Sequence, residues 1–140
     1  MFNIAFAIVG SEDEDNWCWF MKELRLILNL SRRITFISDR HPGIIDGINN
    51  VFPNNFHGYC LLHLKFNLMH KLNGVQSKLR SWLVYMFTEY AYAPNLNIYL
   101  EKLDAWTSKG GQKVKDFFKD IPIHNWCNAY FKGQHYREMA

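Results

Sequence analysis

Cysteine, proline and glycine are scarce in this chain, with three, four and eight among 140 residues. Cys18, Cys60 and Cys127 are odd in number and far apart, which argues against a disulfide framework and suits a reducing compartment. Long apolar runs are also missing. The longest charge-free stretch, Gly47 to Leu64, is interrupted by Asn49, Asn50, Pro53, Asn54, Asn55, His57 and His63. A membrane-spanning helix needs about 20 mainly apolar residues, so none is expected. The opening run Met1 to Gly10 is apolar but lacks a basic flank and meets Ser11-Glu12-Asp13-Glu14-Asp15 at once, so it does not read as a signal peptide. Neither sign of charge dominates. A net charge of +3 permits contact with nucleic acid but falls short of the Lys/Arg density that would argue for it alone. No internal repeat and no low-complexity tract occurs.

What the chain does have is apolar and aromatic residues, 49% and 16% of the whole. Disordered chains are poor in these, and the length suits one domain with a real core. Phe2 to Val9, closed by Gly10, reads as a buried strand. Ser11 and Glu14 have capping-box spacing, and acidic residues beside them suit the positive end of a helix dipole. Trp17, Phe20, Met21, Leu24 and Leu28 recur at helical spacing, which predicts an amphipathic helix over 12–29. Ile34 to Ile37 forms a second strand, ending at Ser38-Asp39-Arg40-His41. Pro42 suits a first helical turn, and Ile44, Ile45, Ile48, Val51 and Phe52 give that helix an apolar face. Phe56 to Tyr59 is a third strand. The order strand–helix–strand–helix–strand signifies an α/β layer. Connection rules alone would make the three strands parallel neighbours.

After Cys60 the periodicity becomes helical throughout. Leu61, Leu64, Leu68 and Leu72 line one helix, and Val75, Leu79, Trp82, Leu83, Met86 and Tyr90 the next. Leu96, Tyr99, Leu100, Leu103 and Trp106 line a third, which Gly110-Gly111 breaks. A short helix with Val114, Phe117 and Phe118 follows, and then an aromatic cluster of Trp126, Tyr130 and Phe131.

Asp39 is the first candidate for chemistry. Ligands of α/β sheets lie beyond the carboxyl ends of strands, and a carboxylate there can bind a hard cation. Arg40 and His41 beside it could meet a phosphate. The plainer alternative is that Asp39 caps the helix starting at Pro42. Cys60 and His63 form a Cys-x2-His pair at a strand-to-helix junction. Such a pair can supply two ligands to zinc, with His57 or His70 as candidates for a third. A closed zinc site usually needs a second pair, so zinc is not expected; Cys60 as a small buried hydrophobe and His63 hydrogen-bonded near the crevice is the simpler state. Lys109, Lys113, Lys115 and Lys119 could touch a nucleic-acid backbone, or simply form a solvated helix face.

Several blocks together resemble a known family. They are Ala5 to Val9, Trp17 to Leu24, Ile34 to Ile45 with its Ser-Asp-Arg-His core, and Val51 to Leu64 with its His-Gly-x-Cys-x2-His-Leu core. In combination they are similar to the plant Mutator-like (MULE) transposase domain, over residues 1 to about 72, and Trp126 to Phe131 with His135-Tyr136-Arg137 is similar to that family further downstream. The resemblance implies a partial ribonuclease H-like core over 1–73, with three strands and crossover helices, followed over 74–140 by an all-helical insertion and the start of the core's C-terminal part.

It further implies a metal-dependent DNA strand-cleaving and strand-transferring enzyme of the nucleus, whose two aspartates and one glutamate hold Mg2+ or Mn2+. Asp39 matches the second aspartate, and Cys60 and His63 match the family's Cys-x2-His motif. No residue matches the first aspartate, and Glu138 does not match the glutamate, so the chain is expected to be inactive alone. In the family arrangement two further strands, absent here, separate the strand matching 2–9 from that matching 34–37, so either the first strand pairs wrongly with the second or an apolar strand edge lies open to self-association. Far-red-response regulators, which are derived from the same family, supply the alternative of a non-catalytic DNA- or protein-binding module in transcription.

Overall fold

The computed structural model describes residues 3–29 and 31–132. The chain divides into two compact units, Met1–His57 and Gly58–Ala140. Among the described residues no helix is long and apolar enough to cross a membrane.

In the first unit, helix α1 spans Glu14–Ile27, strand β1 spans Thr35–Ser38 and helix α2 spans Pro42–Val51; strand β2, Phe56–Tyr59, begins in that unit and runs across its boundary at His57. Asp13, not Ser11, is the N-cap of α1. Its carboxylate accepts from the Asn16 backbone N–H at 2.9 Å, while the Ser11 hydroxyl donates to that same carboxylate. Those hydrogen bonds hold the Asp13 carboxyl below its usual range. The capping-box pairing of Ser11 with Glu14 is therefore not the one used.

The apolar face of α1 packs on α2. Met21 is buried with Ile44, Ile48, Val51 and Phe52, and Trp17, Phe20, Leu24, Leu28 and Phe36 close around them. Two glycines of α2 bring the helices together: a Cβ at Gly43 would lie 2.9 Å from Trp17 Cδ1 and 3.0 Å from Glu14 Cα. The Arg25 guanidinium donates to the Val51 carbonyl, one of the orphan acceptors at the end of α2.

The strand count differs from the sequence reading. β1 and β2 form a two-stranded parallel sheet, and residues 3–9 are not a strand. Ile4, Phe6 and Ile8 are 71%, 86% and 92% exposed. The composition of this run is strand-like, but a strand exists only where a neighbour takes its backbone hydrogen bonds. No described segment pairs with it, so its amides face solvent and the segment stays irregular. Among the described residues, the buried strand expected over 2–9 is thus corrected to an exposed apolar segment over 3–9, and a three-stranded layer to a pair.

The second unit is helical. Helix α3 spans Leu61–Lys71, α4 spans Ser77–Ala91 and α5 spans Leu96–Lys119. Leu61, Leu64, Leu68 and Leu72 are buried, as are Leu83, Phe87 and Tyr90 of α4 and Tyr99, Trp106, Val114 and Phe117 of α5. Aromatic rings fill the centre. Trp106 lies 4.9 Å from both Tyr90 and Phe118, and Phe87 lies 5.1 Å from Trp126. The break expected at Gly110-Gly111 is a kink within α5. Gly111 has φ 59° and ψ −149°, a conformation that favours glycine. A 3-10 turn, Ile123–Asn125, leads to Trp126. The Asn128 N–H donates to the Ala91 carbonyl at 2.9 Å, and the buried Cys127 thiol donates to the Tyr90 carbonyl at 3.3 Å. Burial pushes the Cys127 thiol up from its ordinary range, as it does the Tyr90 and Tyr99 phenols. His135-Tyr136-Arg137 and Glu138 lie outside the described residues.

Candidate functional site

Beyond the end of β1 lies the Ser38-Asp39-Arg40-His41 block singled out in the sequence. Apolar Phe36 anchors β1 to the core by packing on Phe52, ring centroids 4.8 Å apart. The next residues then emerge beyond the sheet: Ser38, Asp39, Arg40 and His41 are all half-buried. Asp39 Oδ1 accepts from the His41 backbone N–H at 3.1 Å. That bond is an Asx-type turn, which fixes the carboxylate at the mouth of the strand.

The cap of α2 is His41. Its Nδ1 accepts from the Gly43 N–H at 3.2 Å, and Pro42 occupies the first helical turn. Asp39 therefore shapes the turn before the cap and does not itself cap the helix, so the plainer reading of that residue is corrected. The Nε of Arg40 is buried and meets no acceptor among the described residues. A buried donor without a partner is costly, and this one stands beside the Asp39 turn.

The Ser38 hydroxyl lies 2.8 Å from His57 Nε2 and 2.7 Å from the Asp39 carbonyl. If it donates to the carbonyl, it accepts from a protonated Nε2. Burial lowers the His57 pKa from the ordinary histidine value and so favours the neutral ring. Sequence reasoning treated His57 only as a further zinc ligand and missed this contact. Part of the signal was present, since each residue sits at an expected strand, but the pairing of those two strands comes from the structure. The cap role of His41 was legible too, because the residue before an N1 proline is by definition the cap.

Cys60 and His63 belong to the second unit. Cys60 is half-buried at the N-cap position of α3 and makes no side-chain cap bond, and His63 is exposed. The expected hydrogen-bonded His63 in a crevice is corrected accordingly: α3 turns Leu61, Leu64 and Leu68 inward, and position 63, like Leu62, falls on the solvent side. Lys113 donates to the Asn73 carbonyl at 2.7 Å, and Lys109 sits 4.5 Å from the Trp82 ring centre, so two of the four candidate lysines, Lys109, Lys113, Lys115 and Lys119, are engaged within the fold.

Two-metal phosphodiester chemistry needs several carboxylates around a pair of cations. Among the described residues no group of three or more His, Cys, Asp or Glu side chains could hold a metal ion. Asp39 offers one oxygen already engaged by the His41 N–H. These residues therefore do not fit a metal pair by themselves.

A parallel strand pair, with helices α1 and α2 packed on one another beside it, is a mixed α/β arrangement, and the Asp39 carboxylate stands at the end of its first strand. Residues 1–67 match the family model of the MULE transposase domain, which supports a Mutator-like transposase-type domain in that part of the chain. The match takes in Asp39, Arg40, His41, Cys60 and His63 and ends within α3. No curated protein and no solved structure matches the chain.

Proposed function

We propose that this chain is part of the catalytic module of a Mutator-like DNA transposase, acting on DNA in the nucleus, and that Asp39 is one of its metal-binding carboxylates. The observation that carries this is the position of Asp39. It stands at the carboxyl end of β1, inside the matched residues 1–67, with its oxygen fixed by the His41 N–H. Ligands gather at such strand ends. Mg2+ or Mn2+, when bound, would activate an attacking oxygen and stabilise a leaving one. Asp39 would contribute a fixed negative charge, and the unmet Nε–H of Arg40 suits a phosphate oxygen. The remaining carboxylates would come from outside the residues described, which makes this chain a fragment without activity of its own.

A plasmid-nicking assay in Mn2+ tests the reading. These 140 residues should nick supercoiled DNA no faster than their Asp39→Asn variant. A longer chain carrying the further carboxylates should nick it, and Asp39→Asn should abolish that activity. Asp39-dependent nicking by the present chain would contradict the fragment reading. Undiminished nicking by the longer Asp39→Asn chain would remove Asp39 from the chemistry.

A further inference from the structure

Between Gly47 and Thr88 the sequence contains no aspartate or glutamate, yet it carries Lys65, Lys71, Lys78 and Arg80. Along α5, by contrast, the two signs of charge are interleaved. The acid-free stretch forms α3 and most of α4, and the two helices enclose a groove of about 450 Å³. Lys65 and Met69 of α3, one turn apart, line one wall. Arg80, Val84, Tyr85 and Thr88 of α4 line the other. Among the described residues neither Lys65 nor Arg80 has an ion-pair partner, and the next acid along α4, Glu89, is held by Lys102 at 3.2 Å. Tyr85 is 61% exposed, with its ring presented at the groove.

The groove thus combines a largely exposed tyrosine, two cations without an ion-pair partner among the described residues, and the apolar side chains of Met69 and Val84. It offers an aromatic face for stacking and positive charge for an anionic backbone, the combination that binds single-stranded nucleic acid without regard to sequence. Arg80 and Thr88 are eight residues apart, which is about 12 Å along a helix at 1.5 Å per residue. That length holds a few nucleotides. Packed helices lie about 8–10 Å apart axis to axis, so the cleft between them is too narrow for a duplex. We propose that the α3–α4 groove takes a short single-stranded segment, with phosphates at Lys65 and Arg80 and a base stacked on Tyr85. This goes beyond the reading of Asp39. The groove lies wholly in the second unit and contains no part of the Asp39 turn, so it can bind where nicking fails, or fail where nicking succeeds.

Fluorescence anisotropy of the whole chain with a labelled thymidine oligonucleotide, across a salt series, tests the proposal. The single strand should bind more tightly than a duplex of matched length. Lys65→Gln combined with Arg80→Gln should weaken binding at least tenfold at low salt. It should also flatten the log–log salt slope by about 1.4, since each phosphate contact on a single strand contributes roughly 0.7. Tyr85→Ala should weaken binding about tenfold with the salt slope unchanged, and Tyr85→Phe should retain affinity. All four substitutions are of exposed or half-buried side chains, and circular dichroism confirms each fold; Lys65→Gln alone, expected to flatten the slope by about half as much, serves if the double variant unfolds. Three outcomes would overturn the proposal: tighter binding of the duplex, a salt slope unmoved by loss of the two cations, or a polyglutamate competitor that displaces the strand while Tyr85→Ala has no effect.

Discussion

Trp106→Ala is expected to cost the second unit about 3–5 kcal/mol, the range for truncating a buried tryptophan. Trp106 is 1% exposed, and its indole N–H donates to the Leu83 carbonyl at 2.9 Å. Its ring meets Tyr90, Phe118 and Phe87 at 4.9, 4.9 and 6.4 Å between centroids. Removal leaves a cavity between α4 and α5 whose walls are rigid rings, so collapse recovers little of the loss. Domains have about 5–15 kcal/mol in total, so the variant stands near unfolding. Trp106→Phe keeps most of the apolar area but loses the hydrogen bond, and should cost about 1–2 kcal/mol. Urea unfolding followed by far-ultraviolet dichroism reads both. A loss below about 1 kcal/mol for Trp106→Ala would mean that this ring cluster is not the core of the unit.

The second large effect lies at the crossing of α1 and α2. At Gly43 an added Cβ would stand 2.9 Å from Trp17 Cδ1, 3.0 Å from Glu14 Cα and 3.1 Å from the Asp13 carbonyl oxygen. Two of these are backbone atoms, so the helices must separate. Gly43→Ala should therefore cost about 1–3 kcal/mol, the range for overpacking, despite alanine's better helix propensity. Gly47→Ala is the control. Its nearest neighbour is the flexible Met21 Cγ at 3.2 Å, and backbone atoms begin at 3.4 Å. It should cost less than Gly43→Ala, or nothing. The damage also reaches the site, because the Gly43 N–H donates to His41 Nδ1 and the His41 N–H donates to Asp39. Equal stability of the two variants would refute this close-approach account.

Much of the fold can be read from periodicity, and the failures have physical causes. Phe56 to Tyr59 forms the expected strand, and α3 and α4 carry most of the residues expected to line the first two helices after Cys60, while the two helices expected around Gly110-Gly111 run together as α5 across the Gly111 kink. Burial of Leu61, Leu64, Leu68 and Leu72 follows directly from their spacing. The segment before Gly10 fails because apolar composition gives a strand no partner. Ser11 loses the N-cap to Asp13, whose carboxylate is the stronger acceptor and sits one residue before the helix. At the site, the position of Asp39 after a strand was legible. Its bond to the His41 N–H was not, because the neighbouring proline allows either residue to shape the turn. The Ser38–His57 contact depends on which strands pair, which the order of elements leaves open when one strand fails to form.

The most direct test of Asp39 as a metal carboxylate in an incomplete site is nuclear magnetic resonance with Mn2+ added to the whole chain. The account predicts that the amide signals of Ser38 to His41 broaden first, that they do so only at roughly millimolar metal, the weak end for carboxylate sites, and that Asp39→Asn abolishes the effect. Broadening that centres elsewhere, or survives Asp39→Asn, would contradict the assignment of Asp39. Saturation at micromolar metal would show that the site is already complete within these residues.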